Sequence, residues 1–489
     1  MLSRLVRQGR KSAQDRMTQS REVWLLGTNS AQAYLRSNEP PGATQSRFKI
    51  ALIYFFGALE GLAFGYDTGV VAGALLFIRK EMALSPAAQG LVVSSLLLGS
   101  IIAAPITGYV SDKLGARRLI ACAGTLFLVG SLGAALAPDP AILIAFRFLL
   151  GVGVGIGKVQ VPIYLSELAP ARSRGRLTSL YQLMTATGIF LAYIVGYFFA
   201  GSGNWRMMFG VAMVPAALLI LGVFLLPNSP RWLARHGRLT EARETLLRTR
   251  SREEADREFA DIQKFVPRSA LSLRDLVRDP WLKRVLLIAL AMAIFQQALG
   301  INTIVYYTPT ILQKAGFTAS AAILTGVCLQ ALSIVMTFIL GRIVDSAGRR
   351  IMLMAGAIVM AASMAALGTI FQLGIVSSGA GAGSAIACLA IFKAAFSVSW
   401  GPLLWVVMPE LLPVRARGAA MGACVFTTYC GNFVISSVFP ILLASGPAGA
   451  FGTFAGCAVL ACLVIFLWLP ETARRTLEEI EAAGRRQFA

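Results

Sequence analysis

Twelve apolar runs, each about as long as a helix must be to cross a bilayer, fill most of this 489-residue chain. They fall at 50–78, 88–111, 118–137, 140–167, 176–200, 205–226, 282–313, 318–344, 350–373, 384–411, 416–444 and 448–469. Backbone polar groups find no water in hydrocarbon, so spanning segments are helices or strands of a closed barrel. These runs are too long and continuous for the alternating pattern of barrel strands. The expected fold is therefore an all-α membrane protein with twelve transmembrane helices. Charged residues make up 14% of the chain, against about 25% in a soluble domain. That excludes a soluble enzyme, a disordered chain and a nucleic-acid module. The only histidine, His236, sits in a polar stretch, so histidine acid–base catalysis is not expected either. The seven cysteines lie inside apolar runs without CxxC or Cys/His spacing. They are read as packing residues, and no metal or cofactor is expected.

Lys and Arg outnumber Asp and Glu by 45 to 24, a net +21. The excess sits in short clusters: Lys113, Arg117 and Arg118, then Arg172, Arg174 and Arg176, then Arg349 and Arg350, then Arg415 and Arg417. All follow even-numbered spans, and the opposite loops hold little beyond Arg79, Lys80, Arg206 and Lys314. The positive-inside rule then places both termini in the cytoplasm. The expected organisation is a cytoplasmic tail over 1–47, six-helix halves over 48–226 and 281–470, a cytoplasmic helical linker over 227–280 and a tail over 471–489. The linker is mixed in charge and reads as solvated surface helices. The first tail is Arg-rich and has no apolar core before a cleavage site, so it is not a secretory signal. A disordered tail or a start codon set too early is preferred to an organellar transit peptide.

The halves repeat. Gly108-x-x-x-Asp112-x-x-Gly115 with Arg117-Arg118 recurs as Gly341-x-x-x-Asp345-x-x-Gly348 with Arg349-Arg350. Glu167 followed by Arg174-Gly175 recurs as Glu410 followed by Arg417-Gly418, and Leu226-Pro227 as Leu469-Pro470. Parallel six-helix repeats build one class of secondary transporter, with its site at the repeat interface near the midplane. Further motifs are Phe64-Gly-Tyr-Asp-Thr-Gly-Val70, Pro162-x-Tyr164-x-x-Glu167, Pro227-Asn-Ser-Pro-Arg231, Gln296-Gln297-x-x-Gly300-x-Asn302 with Tyr306-Tyr307, Ser399-Trp-Gly-Pro402 and Pro470-Glu-Thr472. In this order and spacing the chain resembles the sugar porters of the major facilitator superfamily from about residue 48 to 475. The expected location, which rests on that resemblance, is the plasma membrane, a bacterial inner membrane. Ala116 and Asn228 depart from that family's usual Arg and Glu.

The resemblance implies roles. Asp112, Arg117, Arg118, Glu167, Arg174, Arg231, Asp345, Arg349, Arg350, Glu410, Arg417 and Glu471 sit at helix ends, where in this family such charges bridge helices and hold the cytoplasmic side shut. Positive-inside topology explains the arginines equally well, but acids contribute little to topology. Amides inside spans are costly unless they face a cavity or a partner. Gln182, Gln296, Gln297 and Asn302 are such amides, and they offer donors and acceptors for several ring hydroxyls. Interhelical glue is the alternative. Residues 296, 297 and 302 would share one broad helix face. Trp405 would supply a flat wall, and the family adds Tyr306, Phe396 and Gly401. Span 11 carries Thr428-Tyr429 where many bacterial relatives carry an amide followed by Trp, keeps Asn432, and span 8 has Ser333 where Asn is common.

Lys158 in span 4 and Lys393 in span 10 lie outside the family pattern. A lysine at mid-span needs a carboxylate, a carbonyl or a wet cavity. Snorkelling or incidental variation competes with recognition of an acid-bearing polyol. Asp67 in span 1 and Arg147 in span 4 form the remaining intramembrane pair. The family places an acid at Asp67 in proton-coupled members, and a purely structural ion pair is the alternative. The expected function is proton-coupled symport of a monosaccharide or related polyol by a monomer in the lipid bilayer, with no enzyme activity. A passive uniporter and a non-transporting sensor on the same fold are its rivals.

Overall fold

The computed structural model describes residues 43–168, 174–248, 252–264, 273–343, 348–377, 379–412, 417–469 and 471. The chain divides into two compact units, Met1–Leu52 and Ile53–Ala489, and the second holds every span. Among the described residues are twelve helical spans, numbered 1 to 12 in chain order: Leu59–Glu81, Pro86–Gly108, Ala116–Leu136, Pro140–Leu165, Leu180–Ala200, Trp205–Val223, Pro280–Lys314, Ala319–Leu340, Arg349–Gln372, Gly379–Leu411, Ala419–Ser445 and Pro447–Trp468. Each expected span has its counterpart. Between spans 6 and 7 the linker forms short helices over Pro230–Arg235, Leu239–Leu247, Arg252–Lys264 and Leu273–Arg278. The outer face is apolar, with Phe198, Phe224, Leu136, Ile351 and Phe338 all more than half exposed. That surface suits lipid and not water.

Three spans are broken where continuous helices were expected. Span 6 divides at Ala212. Span 7 divides at Leu299-Gly300, where Gly300 takes φ +89° against the Phe454 ring. Only glycine enters that left-handed region without strain. Span 10 divides at Val398-Ser399, between helices Gly379–Ser397 and Trp400–Leu411. Spans 7 and 10, at 35 and 33 residues, exceed what one straight crossing needs. A bend accommodates the excess and sets polar side chains at mid-depth, the arrangement transporters use for binding sites.

Helices in lipid gain no hydrophobic drive from one another, so they hold together by close packing. Gly61, Gly65 and Gly69 stand one turn apart on span 1 and lie against span 5. A β-carbon at Gly65 would overlap the Thr185 carbonyl oxygen, and one at Gly69 would sit 2.7 Å from that of Ile189. Gly188 returns the contact against Leu62. Spans 2 and 4 meet in the same way through Gly99, Gly151 and Gly155.

The halves join at the end of the bundle away from the linker. There Arg79 donates to Gln313 Oε1 at 2.5 Å and the Tyr193 hydroxyl to the Val305 carbonyl at 2.5 Å. Gly90 of span 2 lies against the Ser437 backbone of span 11, and Gly73 and Gly196 pack around Ile323 of span 8. The buried cysteines Cys388 and Cys424 pack in the core, whereas Cys122 and Cys328 lie on the outer surface.

Gly65→Ala should lower the melting temperature of detergent-solubilised protein, because overpacking costs about 1–3 kcal/mol. Gly108→Ala, with nothing within 4 Å of the new methyl, should leave it unchanged or raise it, since Ala is the better helix former. Equal melting of the two variants would refute the packing account.

Candidate transport site

The break in span 7 organises the candidate site. Gln296 and Gln297 end its first helix, and Asn302 and Tyr306 open its second. On a straight helix residues five apart point well away from each other. Across the Gly300 bend, Asn302 Nδ2 donates to Gln297 Oε1 at 2.8 Å. Gln297 Nε2 then donates to Gln296 Oε1 at 3.1 Å, and Gln296 Nε2 to the Trp400 carbonyl at 3.3 Å. The three amides thus form one chain from the bend of span 7 to the bend of span 10. The sharing expected of these three residues is thus produced by the break and not by a straight helix.

Neighbouring helices close around this chain. Gly431 of span 11 leaves room for the Gln297 side chain, where a β-carbon would come within 3.3 Å. A β-carbon at Gly401 would come 2.9 Å from the Phe396 ring. Trp400 is fully buried and donates from its indole to the Leu353 carbonyl at 2.9 Å, which fixes the second helix of span 10. Tyr306 is buried, with its hydroxyl beside Asn432 of span 11 and Thr68 of span 1. Asn432 Oδ1 accepts from Ser436 at 2.9 Å. Trp405 and Thr428 are half-buried, and Tyr429 is buried. Thr428 donates back to the Cys424 carbonyl at 2.9 Å. Ser333 hydrogen-bonds Ser397 at 2.6 Å, so the short hydroxyl of span 8 is spent on span 10. Gln182 of span 5 is exposed and takes no part in the amide chain.

Asp67 and Arg147 are each 1% exposed and lie 3.4 Å apart at their closest atoms. Arg147 presents two terminal nitrogens to the two carboxylate oxygens, at 3.4 and 3.5 Å. Its Nε donates to the Val92 carbonyl at 2.6 Å, and its guanidinium stacks on Phe209 at 5.5 Å. The neighbouring Tyr66 donates to the Met208 carbonyl at 2.9 Å. The arginine is therefore anchored to spans 2 and 6 independently of the acid.

The helix-end charges make contacts within each half. Arg117 donates to the Val223 carbonyl at 3.0 Å, and Ser229 hydrogen-bonds Glu167. Arg349 lies 3.8 Å from Glu410. Glu471 accepts from the backbone N–H groups of Arg349 and Arg350 at 2.9 and 3.1 Å, a carboxylate at the positive end of span 9. Arg350 donates to the Phe466 carbonyl at 2.5 Å, and Arg118 and Arg231 are exposed. Asp345 and the side chains of Asp112, Arg174 and Arg417 lie outside the described residues.

The structure also assigns a neighbour that sequence reading missed. Lys158 Nζ lies 3.9 Å from the Phe64 ring centroid and 5.0 Å from that of Tyr429, with Glu60 of span 1 within electrostatic reach. An acid in an apolar run marks Glu60 as needing a partner, without saying which. Lys393 is buried in span 10.

The profile of the family described as "Sugar (and other) transporter" matches residues 53–483. The chain belongs to that family. Among its relatives are the glucose transporter of Staphylococcus epidermidis, 41% identical over 88% of this chain and 96% of the relative, and the galactose-proton symporter of Escherichia coli K12, 38% identical over 90% and 96%. The inward-open structure of the xylose transporter XylE from E. coli superposes with a TM-score of 0.77 at 29% identity, covering 88% of this chain and 99% of that one. The proton:xylose symporter structure bound to 6-bromo-6-deoxy-D-glucose gives 0.70 at the same identity, over 90% and 99%. This family member is thus an integral membrane protein of the major facilitator fold, a transporter by family and not an enzyme.

Gln297→Ala breaks the amide chain at its middle and should weaken substrate binding by about 1–3 kcal/mol. Counterflow affinity measures this; an unchanged value would remove Gln297 from the site.

Proposed function

We propose that the protein is a proton-coupled symporter of a monosaccharide or related polyol, working by alternating access with the linker end in the cytoplasm. The observation that carries the reading is the buried Asp67–Arg147 pair. A carboxylate that gains a proton loses its attraction to the guanidinium. At ~4 Å and an effective dielectric of 20 that attraction is about 4 kcal/mol, enough to shift a two-state equilibrium. Arg147 is also held by Val92 and Phe209, so in this scheme the acid is the part that responds.

The pair is linked to the site by a short path. Thr68 follows Asp67, and the Tyr306 hydroxyl lies beside Thr68 and Asn432. A sugar drawing on the amides of span 7 and on Asn432 would move the same tyrosine that faces the acid. The relatives include a glucose transporter, a galactose-proton symporter and a xylose transporter, which supports a ligand the size of a monosaccharide. Inter-half contacts at the end away from the linker, with the better match to an inward-open relative, support an arrangement closed outside and open to the cytoplasm. Lys and Arg on the linker side support that orientation. Proton entry would draw about 2.3 kcal/mol per charge per 100 mV of membrane potential.

Asp67→Asn keeps shape and hydrogen bonding but cannot titrate. It should abolish uphill uptake under an imposed pH gradient while leaving measurable counterflow at equal pH. Its unpaired Arg147 should also lower the yield of folded protein, since a lone buried charge is costly. A variant that still concentrates sugar would make the pair structural and uncouple the proton from this site.

A further inference from the structure

Spans 1 and 4 hold a second pair of opposite charges that the coupling scheme does not use. Glu60 lies seven residues, two turns, before Asp67, so both acids project from one side of span 1. Lys158 lies eleven residues, three turns, after Arg147 on span 4. The acids and bases face one another as two rungs: Asp67 with Arg147 in direct contact, and Glu60 with Lys158 within electrostatic reach.

The rungs are filled differently. Asp67 is held by two guanidinium nitrogens. Glu60 is 3% exposed, yet neither carboxylate oxygen has a hydrogen-bond partner. The carboxylate presses on Gly157, where a β-carbon would overlap it. The hydroxyls of Tyr181 from span 5 and Tyr429 from span 11 stand near it and are unpartnered too. Half-buried Lys158 reaches from the Phe64 ring of one half to the Tyr429 ring of the other.

A structural ion pair would leave no such group of buried oxygens unsatisfied. This cluster is completed by a ligand that both donates and accepts hydrogen bonds. A polyol does both: its hydroxyls donate to the carboxylate and accept from the ammonium and the phenols. The Phe64 and Tyr429 faces cover ring C–H groups. The two charges cancel, so a neutral ring meets a balanced pole. A sugar acid would meet Glu60, and an amino sugar would meet Lys158.

We propose that Glu60 and Lys158 form a charge-balanced pole of the sugar site on the N-terminal half, contacting substrate hydroxyls and restricting the site to uncharged polyols. This rests on the sugar-transport reading. Specificity here comes from an element that repels the wrong ligand as well as one that attracts the right one.

The test is counterflow in proteoliposomes at equal pH on both sides, which leaves proton coupling out. Neutral hexoses and pentoses are tried first. If the wild type exchanges none of them, the transport reading itself falls. Otherwise the best neutral sugar is competed with its uronic acid and its amino derivative. The wild type should prefer the neutral sugar over both. Glu60→Gln should improve competition by the uronic acid at least about tenfold, and Lys158→Met that by the amino sugar. The double variant should regain the neutral preference with about tenfold weaker affinity. Single variants that keep both the wild-type ranking and the wild-type affinity would overturn the proposal. Should a single variant fail to insert, the double variant, which buries neither charge, decides: wild-type affinity for the neutral sugar overturns the proposal, and a loss of about tenfold upholds it.

Discussion

Backbone-to-backbone packing of span 1 against span 5 is the constraint on which the rest of the protein depends. The glycines at 61, 65 and 69 admit no side chain toward span 5, which fixes how span 1 is rotated about its own axis. That rotation aims Glu60 and Asp67 at span 4 and away from lipid. Span 4 answers with its own glycine contacts to span 2, so Arg147 arrives where it reaches both Asp67 and the Val92 carbonyl. A charge in hydrocarbon is tolerated only when its partners are in place. Here glycines with no chemistry of their own put them there.

The C-terminal half solves a different problem. The polar groups of its candidate site are amides and hydroxyls, and two broken helices position them. Spans 7 and 10 bend at the same depth, and the amide chain from Asn302 to the Trp400 carbonyl ties the two bends together. A ligand that pulls on one link therefore pulls on both helices. Spans 1 and 4 of the N-terminal half carry paired charges on unbroken helices, and the amide chain of the C-terminal half carries neutral hydrogen bonding on bent ones. The two chemistries meet at Tyr306, Tyr429 and Thr68.

Much of this is legible in the residues alone. Span number, the six-plus-six repeat and the pairing of Asp67 with Arg147 follow from hydropathy, repeated motifs and the cost of intramembrane charge. The bends do not follow, because the motifs that hold Gly300 and Ser399 do not announce a helix break; the length of the span 7 run is the one clue. Lys158 declares its need for a partner, but nothing in the sequence points it to Glu60. That partner lies about a hundred residues away, and helix periodicity says nothing about which spans touch. Gln182 groups with the other amides on residue type alone, and the structure leaves it outside their chain.

The Glu60–Lys158 rung has a consequence for how such a sequence can change over generations. Either charge alone in mid-membrane is a burden, so the two positions do not drift independently. A lineage that loses one is under pressure to lose the other, and a lineage that gains one gains little until the second arrives. Relatives should then carry both charges or neither at these positions. Members holding just one would mark transitional proteins whose diet of substrates had already begun to shift.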